Sequence, residues 1–379
     1  MTAPAGSLLG LVVCSLEAWD EVWRRNQFLV DGLLRRNPSL RVLFVEPPFD
    51  LVHGLRGGRL PPRPRIRAVP GTARLWRLRP VKPLPRRAGP LSDHALWWQV
   101  RGAAARLRLR DPVLWVNDTA YGPLIARTGW RSVYDVTDDW LLVPVPPREH
   151  ARRRRLEVVT LRDADEVVVC SASLAESRGA VRLTTLIPNG VDVGHFSRPR
   201  ARPADLPASP VAVYVGTLHD ERIDVDLVVE LATSLPGLSL ALVGPDVLAA
   251  GSRRRLAACG NVALLGPRPY ELVPGYLQHA DVVVVPHRVT PFTESLDPIK
   301  AYECLAVGRP TVATEVAGFR TLGPPVASVA REAFTARVEQ ALRDGVPGGV
   351  APLEEMSWEE RCRQFEAVLA GVGTRISAT

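Results

Sequence analysis

The sequence is poor in cysteine, and its cysteines are scattered. The 379 residues include 5 cysteines, and no two of them form a C-x-x-C pair. This spacing argues against a zinc site and against a disulfide framework, so we expect a reduced, cytoplasmic protein. The cysteines are Cys14, Cys170, Cys259, Cys304 and Cys362.

Long hydrophobic runs are also missing. No apolar run approaches the roughly 20 residues that a membrane-spanning helix needs. The apolar segment from Leu8 to Leu16 has no basic region before it and no small-residue cleavage site after it. It therefore predicts a buried strand rather than a signal peptide. At about 150 residues per domain, the length predicts two or three domains.

Lysine is almost absent, and the charge is unevenly distributed. Of 48 basic residues only Lys82 and Lys300 are lysines. Residues 1–202 contain 33 Lys and Arg against 19 Asp and Glu, and the remainder contains 15 against 21. A basic half suits a polyanion, an anionic acceptor or an anionic membrane surface; a solvated basic face is the alternative. The basic segments lack interleaved aromatic residues, so we expect no nucleic acid partner.

Short β-branched runs alternate with stretches of helical periodicity along most of the chain. This alternation is typical of α/β proteins with doubly wound parallel sheets. We therefore predict two Rossmann-like α/β domains facing a cleft, with ligands beyond the carboxyl ends of the strands. The predicted strands are 8–14, 41–46, 113–117, 132–136, 166–171, 211–216, 239–244, 262–265, 281–286 and 310–313.

Two segments without periodicity suggest how the chain is divided. Residues 188–210 are rich in Pro, Arg and Gly and predict a linker. We place the first domain at 1–195, the second at 196–355, and a C-terminal helix that crosses back to the first domain at 356–379. Residues 47–90 are rich in Pro and Arg and predict an irregular excursion at the edge of the first domain.

The densest group of candidate functional residues lies in 293–310. Asp297 and Pro298 predict a helix start, with the aspartate as N-cap and the proline at the first helical position. The start of a helix offers unbonded N–H groups and a positive dipole end, which suit a phosphate. Lys300 opposes that dipole unless an anion binds, and Glu303 is suited to accept hydrogen bonds from two vicinal sugar hydroxyls. An ordinary capped helix with surface charges is the alternative.

These residues carry a family resemblance. The order Pro-x-Lys-x-x-Glu, then Leu-Ala-x-Gly-x-Pro-x-Val-Ala, resembles the nucleotide-sugar motif of GT-B glycosyltransferases of the glycosyltransferase-4-like superfamily, in particular its teichuronic acid biosynthesis branch. The resemblance runs from about residue 8 to 370 and implies a GT-B fold, with the acceptor bound by the first domain and the nucleotide sugar by the second. Further matching stretches begin at Cys14, Trp23, Tyr134, Ile187 and Tyr214.

Within the motif, the resemblance assigns Lys300 to the donor diphosphate and Glu303 to the ribose. Many members carry two glutamates with seven residues between them. Counting back from Glu303 gives Ser295, whereas Glu294 is one residue out of register, so Glu294 is carried over only as a contact to the sugar or phosphate. Further donor contacts are expected from Thr293, Ser295, Pro298 and Ile299.

The first strand of the second domain leads into another expected donor-binding loop. Gly216 at the strand end lets the backbone approach a phosphate closely, although a plain tight turn explains this glycine equally well. Related enzymes carry a basic residue in this loop, so Arg222 is expected to stabilise the leaving diphosphate together with Lys300, with His219 as the next candidate. The donor-binding set is completed by Thr217 and by Arg268, in the loop expected to face the nucleobase.

Acidic residues follow two predicted strands of the first domain. Asp135 and Asp138 are candidate bases for an acceptor hydroxyl if the enzyme inverts, and helix capping is their alternative role. The resemblance implies no metal, because enzymes of this fold generally stabilise the diphosphate with Lys, Arg and helix dipoles, and no cofactor besides the donor substrate. The residues expected to contact the acceptor are Glu17, Trp19, Asp20, Arg25, Asp118 and Asp139.

The resemblance implies a glycosyltransferase that moves a sugar from a nucleoside diphosphate sugar to an acceptor hydroxyl. A carbohydrate or lipid-linked acceptor in cell-surface polysaccharide or glycolipid assembly is expected. The alternatives are a nucleotide-sugar epimerase of the same fold, glycosylation of a soluble secondary metabolite, and a non-catalytic partner that binds a nucleotide sugar. The basic first domain adds the hypothesis of peripheral attachment to the inner face of the cytoplasmic membrane.

Overall fold

The computed structural model describes residues 10–61, 65–83, 90–345 and 353–374. The chain divides into two compact units: unit 1 is Met1–Pro188 with Arg361–Thr379, and unit 2 is Asn189–Glu360. The expected division lay between residues 195 and 196, and the expected C-terminal segment began at 356. Residues 8 and 9 of the first predicted strand, and 375–379 of the predicted C-terminal helix, lie outside the described residues.

Unit 1 contains a large, mainly parallel sheet. Its described strands are β1 (Gly10–Cys14), β2 (Arg41–Val45), β3 (Phe49–Asp50), β4 (Ile66–Ala68), β5 (Leu75–Leu78), β6 (Val81–Lys82), β7 (Val113–Val116), β8 (Ser132–Val136), β9 (Glu166–Val169) and β10 (Thr185–Leu186). The order in the sheet is β10-β9-β8-β7-β1-β2-β5-β4, and only the edge strand β4 pairs antiparallel. β3 and β6 form a separate parallel pair.

Helices connect and cover these strands. They are α1 (Arg25–Arg36), α2 (Leu51–Arg56), α3 (Pro90–Arg106), α4 (Leu124–Thr128), α5 (Pro147–Asp163) and α6 (Ala172–Gly179). The starts follow local chemistry: α5 has proline at its first position, and Ser171 caps α6 by accepting a hydrogen bond from the Leu174 N–H. The central strands β1 and β7 are fully buried, as expected for parallel strands covered on both faces.

Unit 2 contains a fully parallel six-stranded sheet. Its strands are β11 (Val211–Val215), β12 (Ser239–Val243), β13 (Val262–Gly266), β14 (Val282–Val285), β15 (Thr311–Thr314) and β16 (Val326–Val329). Their order, β13-β12-β11-β14-β15-β16, is that of a doubly wound Rossmann sheet. The order of all six strands therefore confirms the predicted doubly wound α/β architecture for this unit.

The helices of unit 2 begin soon after the boundary with unit 1. They are α7 (Val193–Ser197), α8 (Val225–Ser234), α9 (Ala250–Ala257), α10 (Val273–Gln278), α11 (Pro291–Glu294), α12 (Ile299–Val307), α13 (Ala317–Arg320) and α14 (Phe334–Asp344). The last helix, α15 (Trp358–Thr374), starts in unit 2 and continues in unit 1. No helix within the described ranges is both long and apolar enough to span a bilayer.

Two expectations about irregular segments are wrong. Residues 47–90 contain β5, which pairs in parallel with β2 and extends the main sheet. Residues 189–210 are not a linker but a packed part of unit 2: Phe196 of α7 is 1% exposed, and Val191 bridges to Ser357. The described parts of both segments pack against partners far away in sequence, which local composition does not reveal.

Candidate functional site

The sheet of unit 2 has a switch point between β11 and β14. The chain proceeds from β11 to β12 and β13 on one side, and from β14 to β16 on the other. Ligand sites of open α/β sheets form beyond the carboxyl ends of the strands at such a point. Here the strand ends lead to Gly216 after β11 and His287 after β14.

Lys300, in the first turn of α12, reaches this switch point. Its Nζ donates a hydrogen bond to the Tyr214 hydroxyl at 2.8 Å and lies 3.4 Å from His287 Nε2. Nζ is also 4.4 Å from the centroid of the Tyr214 ring, a cation–π distance. Within the described ranges no carboxylate lies at ion-pairing distance from this ammonium. The site therefore presents a positive charge that the protein does not neutralise by direct contact.

His287 is neutral in this setting. The side chain is 3% exposed, and burial lowers its pKa well below the ordinary value, with further lowering by Lys300 and Arg222. Because an ammonium can only donate, the lone pair of Nε2 faces Lys300 and the proton belongs on Nδ1. Nδ1 has no hydrogen-bond partner among the residues that the structure describes.

Gly216 leaves the space that Lys300 occupies. Its φ of +147° is a conformation that side chains rarely adopt. A Cβ at this position would lie 2.6 Å from Lys300 Nζ and 3.1 Å from the Tyr214 hydroxyl. Two features therefore favour glycine at this position: the positive φ of the backbone and the close approach of Lys300. A plain tight turn would account only for the first.

The start of α12 differs from the expected capping pattern. Pro298 occupies the N-cap position without a side-chain hydrogen bond, and Ile299 is the first helical residue. Asp297 does not cap the helix: its carboxylate accepts hydrogen bonds from the Asn189 backbone N–H and from the Tyr302 hydroxyl. The N-cap residue Pro298 supplies no side-chain hydrogen bond, so the first-turn N–H groups of α12 are suited to an external anion.

Glu303 lies one turn after Lys300. Its carboxylate has no hydrogen bond or ion pair in the part of the chain that the structure describes. Desolvation raises its pKa to about 7, and the nearby Lys300 charge opposes this rise. A partly buried carboxylate without a protein partner is suited to accept hydrogen bonds from a ligand.

The loop after β11 brings further positive charge to the same place. The Arg222 guanidinium lies 5.5 Å from the centroid of the Phe292 ring. Burial, then Arg222, and to a smaller extent Lys300 lower the pKa of His219. Because Arg222 and Lys300 both act on His219 and His287, these four side chains lie near one another. His287 is not predicted as a site residue, since a lone histidine after a strand gives no distinguishing signal. Thr217 follows Gly216 in this loop and is partly buried.

The hydroxyls expected before α12 have other partners. Thr293 is fully buried, donates to the Arg288 carbonyl at 2.6 Å and takes part in the capping of α11. Ser295 is 1% exposed and donates to the Phe292 carbonyl at 2.7 Å. Both hydroxyls are thus used within α11 and its flanking loop, and donor contacts from Thr293 and Ser295 stay a prediction.

Two further expected donor contacts are also engaged within unit 2. Glu294 forms an ion pair with Arg320 at 2.6 Å and accepts from the Ala317 N–H at 3.2 Å. Arg268 pairs with Asp205 and donates to the Tyr276 hydroxyl at 2.8 Å. Glu294 therefore connects α11 to α13. Arg268 connects the loop that follows β13 to Asp205 and to Tyr276 of α10.

In unit 1, Asp135 and Arg25 pair with each other. Arg25 Nε donates to Asp135 Oδ2 at 3.1 Å, and Nη2 donates to Oδ1 at 3.0 Å. Asp135 is fully buried and Arg25 is 4% exposed. Asn117 adds a hydrogen bond to Oδ2 at 3.2 Å, and Asn26 bonds to Asn117 at 2.8 Å. Asp135 and Arg25 therefore satisfy each other away from solvent, and the expected roles of Asp135 as a base and of Arg25 as an acceptor contact stay predictions.

Asp139 is likewise held inside unit 1. It forms a two-point ion pair with Arg178 at 2.5 and 2.8 Å, and Arg178 also pairs with Glu157 at 2.7 Å. Asp139 is 7% exposed, and its assignment to the acceptor stays a prediction. Arg178 and Glu157 are not predicted from the sequence. They lie in helices, where charged residues are common and a single Arg or Glu does not stand out.

The other residues assigned to the acceptor are nearer the surface. Asp138 is partly buried beside the Thr137 hydroxyl at 3.4 Å, and Asp118 caps the short 3-10 helix Thr119–Tyr121. Glu17 pairs with Arg24 at 3.4 Å. Asp20 also pairs with Arg24, at 3.1 Å. The Trp19 ring packs edge-on against Phe44, with the ring centroids 5.1 Å apart.

No group of three or more His, Cys, Asp or Glu side chains that could hold a metal ion occurs within the described ranges. The acidic side chains nearest to such an arrangement, Asp135 and Asp139, are each neutralised by an arginine. The positive groups around Gly216 are instead suited to an anion.

Comparisons with known proteins agree with this geometry. Residues 209–344 match the family described as glycosyl transferases group 1. The teichuronic acid biosynthesis glycosyltransferase TuaH of Bacillus subtilis (strain 168) is 25% identical over 220 residues, which cover 54% of this chain and 55% of TuaH. The chain is thus matched over about half the length of this curated relative.

Solved structures resemble the chain over almost its whole length. Sucrose-phosphate synthase from Thermosynechococcus elongatus has a TM-score of 0.68 at 19% identity, covering 96% of each chain. Anabaena HepE, solved with UDP and glucose, has a TM-score of 0.61 at 14% identity, covering 98% of each chain. A UDP-forming trehalose-phosphate synthase from Burkholderia xenovorans has a TM-score of 0.64 at 14% identity, covering 97% of this chain and 100% of that one.

These matches define the class of the protein. The chain has the GT-B fold of glycosyltransferases. Residues 209–344, which lie in the second unit, match the glycosyl transferases group 1 family, in agreement with the resemblance first indicated by the sequence.

Proposed function

We propose that the protein transfers a sugar from a nucleoside diphosphate sugar to an acceptor hydroxyl. The observation that carries this proposal is the site of unit 2. There, Lys300 lies beside Gly216 with no carboxylate at ion-pairing distance among the described residues, and Glu303 follows one turn later. The match of residues 209–344 to a glycosyltransferase family supports the same reaction.

In this proposal the diphosphate binds between the loop after β11 and the start of α12. Lys300 and Arg222 supply positive charge, and the uncapped first turn of α12 supplies N–H donors. The ionised Glu303 accepts hydrogen bonds from the two ribose hydroxyls. The nucleobase lies against the loop that follows β13.

The same groups are suited to the chemical step. The bond between the anomeric carbon and the diphosphate oxygen breaks while the acceptor oxygen bonds to that carbon, and negative charge develops on the leaving diphosphate. Fixed positive groups stabilise such charge in the transition state more than in the ground state. The acceptor hydroxyl releases its proton during the step, and of the two bases considered Asp138 remains a candidate, since Asp135 is buried in an ion pair.

We place the reaction in cell-surface polysaccharide or glycolipid assembly at the inner face of the cytoplasmic membrane. The relative TuaH is a teichuronic acid biosynthesis glycosyltransferase, and the 33 basic residues within residues 1–202 suit an anionic acceptor or surface. No metal cofactor is required by this proposal. The reported relatives are transferring enzymes by name, and none of these matches supports the epimerase alternative.

The two lysines of the chain permit a direct test of donor binding. Reductive methylation with 13C labels Lys82 and Lys300 while it preserves their charge. Lys82 is paired with Asp50 at 3.1 Å and serves as an internal control, assigned with a Lys82→Arg variant. We expect UDP, GDP or dTDP to shift the Lys300 methyl resonance and to leave that of Lys82 unchanged.

A nucleotide-sugar panel then identifies the donor. We expect one donor to be hydrolysed slowly without acceptor and to transfer its sugar when an acceptor is supplied. Conversion of the donor to an epimer in the absence of acceptor would favour the epimerase alternative. If no nucleoside diphosphate shifts the Lys300 resonance, the donor site is misassigned.

A further inference from the structure

A concave basic site occurs in unit 1, within a segment that the sequence predicts to be irregular. It is a small, open cavity of about 190 Å³, below the volume of the sites that enclose a whole drug-sized ligand. The cavity lies where the loop after β1, the end of β2 and the ribbon of β4 and β5 meet. Its lining residues are Ala18, Trp19, Asp20, Glu46, Arg65, Arg67, Arg77 and Arg79.

Four of these side chains are arginines on two paired strands. Arg67 lies directly opposite Arg77 in the antiparallel pairing of β4 with β5. Arg65 and Arg79 are the next neighbours, joined by a backbone hydrogen bond from the Arg79 N–H to the Arg65 carbonyl at 3.2 Å. Alternate residues of a strand lie on one face, so the four guanidinium groups share a face. Like charges directly opposite one another destabilise a sheet, and a bound anion removes that repulsion.

The carboxylates in the cavity do not balance this charge. Glu46 is the nearer one, with an oxygen 3.7 Å from Arg77 Nη1. Asp20 is shared with Arg24 outside the cavity, at 3.1 Å. Four arginines face two carboxylates, and the Arg79 side chain is exposed with its guanidinium 5.9 Å from the Phe49 ring centroid. The cavity keeps an excess of positive charge.

Two of the arginines are already held in place. Arg77 donates to the Trp19 carbonyl at 2.9 Å. Arg65 donates to the Gln99 side chain at 3.2 Å, and that amide is itself fixed by two hydrogen bonds to the Val81 backbone. Planar guanidinium groups with fixed orientation bind anions with several oxygens, such as phosphate, with little loss of side-chain entropy.

The rest of the lining indicates what the anion is attached to. Trp19 contributes an aromatic side chain, fixed against Phe44, which is suited to the apolar face of a sugar. Glu46 and Asp20 are suited to accept hydrogen bonds from hydroxyl groups, whereas they would repel a polyanion that covered the whole face. A small phosphorylated sugar fits this combination better than nucleic acid or a flat anionic surface.

We propose that this cavity binds a phosphate or diphosphate group carried by the sugar acceptor. That the bound molecule is a sugar acceptor rests on the proposed function. The cavity adds the chemical class of this acceptor. Arg25, which the sequence assigned to the acceptor, is buried against Asp135 and does not line this cavity. The phosphate belongs either to a soluble sugar phosphate or to the headgroup of a lipid-linked sugar.

The test measures binding at the cavity separately from the donor site. Inorganic pyrophosphate is titrated by calorimetry into the full-length Lys300→Ala protein, which lacks the ammonium of the donor site. We expect saturable binding that weakens at least 10-fold when Arg67→Gln and Arg79→Gln are added. The matched control adds Arg154→Gln and Arg155→Gln, which remove the same charge from exposed positions of unit 1, and we expect it to bind like the parent.

A second arm distinguishes the two sources of the phosphate. Vesicles of phosphatidylcholine that contain a polyprenyl diphosphate sugar are compared with vesicles of phosphatidylcholine alone. Selective binding to the former, lost in the Arg67/Arg79 variant and displaced by pyrophosphate, identifies a lipid headgroup. Pyrophosphate binding without vesicle binding identifies a soluble sugar phosphate.

Two results would overturn the proposal. One is the absence of pyrophosphate binding to the Lys300→Ala protein. The other is an equal loss of binding in the Arg67/Arg79 and Arg154/Arg155 variants, which would mean that overall charge alone attracts the anion. Neither result depends on the Lys300 resonance, so a failure of this cavity and a failure of the donor site remain distinguishable.

Discussion

Arg25 holds Asp135 by two parallel hydrogen bonds of 3.1 and 3.0 Å at the centre of unit 1. Asp135 lies near the carboxyl end of β8, and Arg25 starts α1. The switch point of this sheet lies between β1 and β7, and many α/β proteins bind a ligand beyond the strand ends at such a point. Here Arg25, Asp135, Asn117 and Asn26 occupy that position with hydrogen bonds to one another. The polar groups of this cluster therefore satisfy one another inside unit 1.

We expect Asp135→Asn to destabilise the protein strongly, because it leaves a buried guanidinium without its counter-charge. Removing one partner of a buried ion pair costs about 3–5 kcal/mol. Urea unfolding followed by circular dichroism measures the change. The control is Asp163→Asn, which breaks the surface pair with Arg162 and is expected to leave the unfolding midpoint near wild type. Wild-type stability combined with lost transfer would restore Asp135 as a base.

Local sequence patterns predicted the elements that carry the donor site well. The strands β11 and β14 are runs of β-branched residues, and the motif around Lys300 and Glu303 lies within one helix. Within one helix, residues three or four apart in sequence lie on the same face, so their separation in the sequence predicts their separation in the structure. The lysine and the glutamate therefore lie where the sequence placed them.

The errors concern contacts over long distances in the chain. Arg25 and Asp135 are 110 residues apart, so no local pattern shows that they neutralise each other. β5 is four residues long with an arginine within it, and only its pairing with β2 makes it part of the sheet. Asp297 precedes a helix as a capping residue does, but the Asn189 backbone competes for its carboxylate.

We expect Lys300→Ala to lower kcat by roughly 10²–10³, the effect of removing one fixed group that stabilises developing charge. Steady-state transfer assays with saturating donor measure it. Lys82→Ala removes the other lysine of the chain, outside the proposed site, and is expected to keep kcat within about 2-fold. Equal effects of the two substitutions would contradict a specific role for Lys300.

We expect Gly216→Ala to weaken donor binding at least 10-fold while the protein remains folded. The new Cβ would lie 2.6 Å from Lys300 Nζ, so the ammonium must move away from the switch point. The positive φ adds a backbone penalty of about 1 kcal/mol. Gly237→Ala is the matched control, because a Cβ there meets no atom within 4 Å. Calorimetric titration of both variants with nucleoside diphosphate measures the difference, and unchanged affinity for Gly216→Ala would show that the position of Lys300 is unimportant.

We expect donor affinity to rise as the pH increases through about 7, because Glu303 must lose its proton to accept hydrogen bonds from both ribose hydroxyls, and desolvation raises its pKa to about 7. A nucleoside diphosphate sugar is the suitable probe, since its esterified phosphates do not titrate between pH 6 and 8. Titrations across this range should show a Kd that falls with pH for the wild type, and a higher Kd that does not change with pH for Glu303→Gln.

The raised pKa of Glu303 also means that the folded protein loses stability as the pH rises from the ordinary glutamate value of 4.5 to about 7. Glu303→Gln removes this loss, so above pH 7 the variant should be more stable to urea than the wild type even though it binds the donor less well. A variant that lost affinity and stability together would instead indicate that Glu303 supports the fold and does not contact the donor.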